Sequence, residues 1–170
     1  MKPKKILIIR HGEKPGDPGT DAATDGPNLS TKGYERAGAL APYVPEVFGK
    51  PDFLFATKAS KHSNRPVETV TPLASAIGQP IHDDHADNEY DQLASKLVSD
   101  DKYAGKLVLI CWHHGTIPEL AAALGGVPPE PHWPPNVFDR VWILDGAKES
   151  GHATPMQNLP QCLLFNDTPK

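Results

Sequence analysis

Short apolar runs recur along the chain, and the polar stretches between them carry helical spacing or turn residues. Lys5 to Ile9 (Lys-Ile-Leu-Ile-Ile) predicts a buried strand, because a short β-branched run with polar flanks suits a strand covered on both faces. The Gly/Pro/Asp-rich segment from Glu13 to Asn28 predicts a loop. Ser30 or Thr31 caps a helix expected to reach Phe48, with Pro42 and Pro45 breaking or kinking its end. Phe53 to Ala56 predicts a second strand, and a helix follows from near Pro66 to Ile77, stopped by Gly78. Ile81 belongs to a short edge strand, and Glu89 to Val98 forms a further helix. Lys106 to Trp112 (Lys-Leu-Val-Leu-Ile-Cys-Trp) is a strand, followed by a helix opening at Thr116-Ile117-Pro118-Glu119 with capping-box spacing. That helix stops at Gly125-Gly126. After a proline-rich loop, Val137 to Asp145 and Cys162 to Phe165 predict the last two strands.

Alternating strands and helices predict an α/β fold: a three-layer sandwich with a mostly parallel central sheet and helices on both faces. No repeat or linker divides the chain, so residues 1–170 are expected to form a single domain. A length of 170 residues suits one well-buried core. The net charge of −4 argues against a general nucleic-acid binder but leaves room for a local cationic pocket. No segment nears the roughly 20 apolar residues of a membrane span, and the N-terminal apolar run is too short for a signal peptide, so the expected location is cytoplasmic. Cys111 and Cys162 lack the spacing of a zinc site or a disulfide framework, and Cys111 reads as a core residue.

The chemistry gathers at the ends of predicted strands, where ligands of open α/β sheets collect. The first strand ends in Arg10-His11-Gly12-Glu13, and the strand at 106–112 ends in His113-His114-Gly115, directly before a helix. Arg65 opens another helix. Brought together, these segments supply two guanidinium groups, imidazoles and helix-end amides, a set suited to phosphate. Neighbouring strand-end residues point to opposite sides. The following glycine favours His114 for the phosphate, with His113 packing against a helix or at the rim.

This pattern resembles the histidine phosphatase superfamily, the group related to cofactor-dependent phosphoglycerate mutases. Arg10-His11-Gly12 matches its signature, Leu29-Ser30-Thr31-Lys32-Gly33 its first helix entry, Arg65 with Thr69 its second-arginine helix, and His114-Gly115 its second histidine motif. The resemblance implies a phosphomonoester hydrolase in which His11 forms a phosphohistidine. Arg10, Arg65, His114 and Gly115 would bind the phosphoryl group, with no metal and no cofactor. It places a proton donor at Glu89, with Asp87 or Glu13 as substitutes, although the glycine-rich phrase that usually follows the glutamate is missing. The small-residue spacing usual before the second arginine is also missing from Ser60-Lys61-His62-Ser63-Asn64. The expected partner is a phosphorylated small molecule or phosphoprotein, with neither nucleic acid nor membrane. A protein phosphohistidine phosphatase and a non-catalytic phosphate-binding module remain alternatives. His82-Asp83-Asp84-His85 offers a rival metal site. Trp112 and Trp142 are expected in the core and Trp133 at the rim of the site.

Overall fold

The first strand, β1 (Lys5–Arg10), shows why the fold closes as it does. Ile6 and Ile8 point into one core, Leu7 and Ile9 into another, and every residue after Lys5 is buried. The computed structural model describes residues 2–23, 26–146 and 152–168. After β1 the described chain forms α1 (Thr31–Phe48), β2 (Phe53–Ala56), α2 (Arg65–Ile77), β3 (Ile81–His82), α3 (Tyr90–Ser99) and β4 (Leu107–Trp112). It continues through α4 (Ile117–Ala123), β5 (Gly126–Val127), β6 (Arg140–Asp145), β7 (Thr154–Pro155) and β8 (Gln157–Pro160). Six strands make one sheet in the order β3-β2-β4-β1-β6-β8, while β5 and β7 form a separate pair. The β2–β3, β2–β4 and β1–β4 pairs are parallel, and β6 runs antiparallel to β1 and β8. The mostly parallel α/β sheet expected from the alternation is therefore present.

Two apolar layers enclose that sheet. Leu40 and Val44 of α1 and Val70 and Leu73 of α2 pack on Leu7, Ile9, Leu109 and Cys111. On the other face, Leu93 and Leu97 of α3 and Ile117 and Leu120 of α4 pack on Ile6, Ile8, Val108 and Ile110. Period-2 alternation in the strands thus meets the helical stripes on both sides.

Several boundaries differ from expectation. Helix α1 runs unbroken to Phe48 with both prolines inside it. The carbonyls they leave without intrahelical partners belong to Gly38, which is exposed, and Ala41, which is half-buried, so the cost falls on the solvent side. Ala37, Leu40 and Val44 hold the opposite face in the core. The strand expected from Val137 starts only at Arg140. The one expected at Cys162–Phe165 is replaced by β8, five residues earlier in the chain. Cys162 has φ 52°, Leu163 and Leu164 donate to the Asp167 carboxylate, and Phe165 is 91% exposed, which makes that apolar run a turn. Residues 147–151 lie outside the described residues, as do 24–25 of the first loop. Thr116 makes no cap with its side chain, because its hydroxyl is committed to Asp87. Trp112 and Trp142 are in the core as expected. Trp133 joins them, stacked on Trp142 at 4.8 Å and donating to the Val137 carbonyl, and so is not a rim residue. No helix among the described residues is long and apolar enough to cross a membrane.

Two glycines carry the contact between the β1 loop and α1. A Cβ on Gly12 would lie 2.9 Å from the Gly33 carbonyl oxygen, and one on Gly33 would collide with the Glu13 carbonyl oxygen. Gly38, one turn further on, faces open space. Gly33→Ala is therefore expected to cost about 1–3 kcal/mol of unfolding free energy. Gly38→Ala should be neutral or stabilise by up to about 1 kcal/mol. Denaturant titration of the two variants compares them directly.

Candidate active site

The parallel pairing of β1 with β4 decides which side chains meet. Leu7 lies beside Leu109, Ile9 beside Cys111, and Arg10 beside Trp112, and the His11 amide continues the ladder by donating to the Trp112 carbonyl. One step further, His11 stands beside His113. Their rings approach edge to face with centroids 5.1 Å apart. The assignment of His113 to a helix contact or the rim is thereby corrected: equal counts from Lys5 to His11 and from Leu107 to His113 put both on one side of the sheet. His114 also lines the cleft, as does Gly115.

The cleft has a volume of about 370 Å³ and opens at the carboxyl ends of β1, β2 and β4. Arg10, His11, Arg65, His113 and His114 share it with Lys14, Ser60, His62, Ser63 and Asp87. Sequence reasoning missed Lys14, Ser60, His62 and Ser63, whose loops carry no periodicity that would reveal a facing direction. Glu89 does not line the cleft. Its carboxylate turns back to accept from the Ala86 N–H at 2.7 Å, closing the single 3₁₀ turn Asp87–Glu89. Favourable acid placement at a helix start explains Glu89 without catalysis. Asp87 lines the cleft instead. Its backbone carbonyl accepts from the Trp112 indole, and its carboxylate accepts from the Thr116 hydroxyl.

Glu13 is withdrawn from the cleft by Arg36. That guanidinium, 1% exposed, places all five N–H groups: two on Glu13, two on Asp167 and one on Gln161, at 2.7–3.1 Å. Burial opposes its charge, yet the hydrogen bonds to Asp167 and Glu13 raise its pKa above the usual value. The Glu13 carbonyl accepts from both the amide and the hydroxyl of Ser30, the residue that caps α1. The Gly12 amide donates to Thr69 on α2, whose hydroxyl donates to the Arg65 carbonyl. The loop after His11 is thus tied to α1, α2 and the C-terminal segment.

His11 is 4% exposed, and its Nδ1 lies 2.7 Å from the Gly12 carbonyl oxygen. A carbonyl only accepts, so Nδ1 carries the proton and Nε2 keeps its lone pair. Burial, reinforced by His113, Arg10 and Arg65, holds the pKa well below 6.5 against the opposing Gly12 bond. His113 and His114 are also shifted down, first by burial, with Arg65 and Arg10 adding to it at His113 against Asp87, and Arg10 and His113 adding to it at His114. Arg10 donates to the Pro135 and Val137 carbonyls and lies over the Phe138 ring at 3.7 Å. Burial brings its pKa down to about 10, so it remains cationic at neutral pH. The buried Nε atoms of Arg10 and Arg65 have no partner.

Among solved structures, the protein histidine phosphatase SixA, in complex with tungstate, aligns over 93% of this chain and 97% of its own, at TM-score 0.62 and 17% identity. The chain has the histidine phosphatase fold. Mycobacterial hydrolase 2 gives TM-score 0.57 at 14% identity, covering 100% of this chain and 93% of its own. Mycobacterial glucosyl-3-phosphoglycerate phosphatase gives 0.53 at 14%, covering 91% and 96%. No protein-family model and no curated protein matches the sequence. In this histidine phosphatase fold, Arg10, His11, Arg65, His114 and Gly115 are brought to one cleft as the sequence motifs anticipate. His82 packs near Phe55 at 5.1 Å, and among the described residues no three His, Cys, Asp or Glu side chains form a metal-holding group.

The nitrogen titration of His11 by NMR tests this electrostatic account. The expected midpoint lies well below 6.5, with the Nδ1–H tautomer above it; a midpoint at or above 6.5 contradicts it. The linked stability has a definite sign. Below about pH 6.5 the unfolded ring takes up a proton that the native ring refuses, so this group's contribution to stability falls as the pH drops.

Proposed function

We propose that the protein is a phosphomonoester hydrolase of the histidine phosphatase type, working through a phosphohistidine on His11 without a metal ion. The observation that carries this reading is the neutral, Nδ1-protonated His11 ring beside Arg10 and Arg65, neither of which forms a salt bridge with a carboxylate among the described residues. Nε2 is a free nucleophile, and an imidazole does not repel or compete with a phosphate anion as a charged base would.

In this reading Nε2 attacks phosphorus while the ester oxygen departs on the opposite side. Arg10 and Arg65 neutralise the equatorial oxygens, with N–H donation from His113 and His114 and the Gly115 backbone close by. Fixed positive groups around the transferred phosphoryl supply most of the catalysis in such reactions. Asp87, the acid that lines the cleft, gives its proton to the leaving oxygen and then takes one from the water that cleaves the N–P bond. Dividing hydrolysis into two transfers lowers each barrier. A phosphorylated small molecule or phosphoprotein fits this chemistry.

The test is hydrolysis of p-nitrophenyl phosphate and of an alkyl phosphate, with and without chelator. Expected are activity indifferent to chelator and a loss of at least about 10³-fold in His11→Ala. Asp87→Asn should lose about 10²–10⁴-fold on the alkyl ester and far less on the nitrophenyl ester, whose leaving group needs no proton. Equal loss on both esters removes Asp87 as donor. Activity that persists in His11→Ala contradicts the reading.

A further inference from the structure

Helix α4 opens without using the side chain placed to cap it. Thr116 stands just before its first turn, where a hydroxyl ordinarily accepts from a free helical N–H. Here the His113 carbonyl takes the Thr116 and Ile117 amides, at 3.1 and 3.2 Å. The next residue is Pro118, which has no N–H to satisfy. Backbone and proline thus serve the start of α4, and the Thr116 hydroxyl is released for another partner. That partner is the Asp87 carboxylate, 29 residues earlier in the chain.

Asp87 depends on such a partner. It lies in the stretch between β3 and α3, where no residue from His82 to Gln92 is buried, so no packed core holds its side chain. Its support comes from β4 and the turn that follows. The indole of Trp112, a fully buried side chain, donates to the Asp87 carbonyl at 3.3 Å, and the Thr116 hydroxyl donates to Oδ1. Between these two donors in sequence stand His113, His114 and Gly115, which line the same cleft as Asp87. One turn therefore carries both the histidines of the cleft and the hold on its acid.

We infer that Thr116 is the positioning residue of the proton donor: its hydroxyl occupies Oδ1 of Asp87, fixes the carboxyl in the cleft and leaves the transferable proton on Oδ2. This rests on the hydrolase reading with Asp87 as the acid, and adds to it what holds that acid in place. A protonated carboxyl accepts at its carbonyl oxygen and donates from the other. As Nε2 of His11 bonds to phosphorus and the ester P–O bond breaks, the Oδ2 proton passes to the departing oxygen. In the return step water loses a proton to Oδ2 while its oxygen bonds to phosphorus and the N–P bond breaks. Both transfers need Oδ2 within hydrogen-bond reach of the reacting oxygen, and a half-buried carboxyl free to rotate meets that condition only part of the time.

The test compares Thr116→Val, which keeps the branched shape and removes the hydroxyl, with Thr116→Ser, which keeps the hydroxyl; Thr116→Ala supplies a second hydroxyl-free chain. The first readout needs no turnover: the Asp87 side-chain rotamer, from NMR couplings of its carboxyl carbon to the backbone. A single rotamer is expected in the wild type and Thr116→Ser, and averaging in Thr116→Val. The second readout is hydrolysis of an alkyl phosphate and of p-nitrophenyl phosphate. Thr116→Val should lose about 10–100-fold on the alkyl ester, in kcat more than in KM, and less than about threefold on the nitrophenyl ester. Thr116→Ser should keep wild-type rates on both. In an Asp87→Asn background Thr116→Val should cost little more, because it acts through the acid. Equal loss on both esters, losses that multiply in the double variant, or a rotamer that stays single without the hydroxyl each overturn the assignment. If the wild type hydrolyses the esters and the rotamer stays single in Thr116→Val, only the role of Thr116 is removed. If the rotamer averages as expected but the wild type hydrolyses neither ester, the hydrolase reading falls and takes the role of Thr116 in proton transfer with it.

Discussion

The register between β1 and β4 is the constraint on which the rest of this structure depends. Six consecutive parallel pairs, from Lys5 with Leu107 to Arg10 with Trp112, bring the two strands to the same level. A parallel pair cannot slip by one residue without turning every side chain to the other face. Here such a slip would expose one of two buried layers, since Ile6 and Ile8 belong to one core and Leu7 and Ile9 to the other. The apolar packing of both faces thus fixes the height and side at which His11 and His113 emerge. The site is a by-product of core register, held by burial that no single polar contact could match.

What register sets, the Gly12–Glu13 turn makes rigid. Two glycines allow the β1 loop to lie against the first turn of α1 at backbone distance, a contact that any side chain would prevent. Arg36 then ties Glu13 to Asp167 and Gln161 of the C-terminal segment with every donor of its fork in use. A buried ion pair of this kind is weak evidence for stability, because desolvation consumes much of its attraction. Its effect is on geometry: the loop after His11 is fixed against α1 and the C-terminal segment, and the His11 ring has one tautomer. Arg10 is held in the same manner by two carbonyls and the Phe138 ring, while its Nε stays without a partner.

Much of this was legible in the sequence because it depends on local pattern. The strand ends close to Arg10 and at Trp112, a cap at Ser30 or Thr31, the helix opening near Pro66 and the stop at Gly78 all follow from periodicity and turn chemistry. The errors fall where a long-range contact overrode the local signal. Thr116 had capping-box spacing, but its hydroxyl went to Asp87. Glu89 sat at the expected distance from α2, but a nearer N–H took its carboxylate. Trp133 looked like a loop residue free to reach the rim, but Trp142 offered it a stacking face. Choosing between His113 and His114 required the β1–β4 register, which the sequence contains only as two equal counts from the strand starts. The loop residues Lys14, Ser60, His62 and Ser63 had no periodic pattern to place them.

The central claim is that Nε2 of His11 takes a phosphoryl group from substrate. It is tested most directly by mixing the protein with p-nitrophenyl phosphate, quenching at neutral to alkaline pH within the first turnovers, and mapping the modified peptide by mass spectrometry. The account predicts a phosphoryl adduct on His11, labile to acid and stable to base, bonded through Nε2. Turnover with no adduct on His11 at any quench time, or an adduct on another residue, would contradict it.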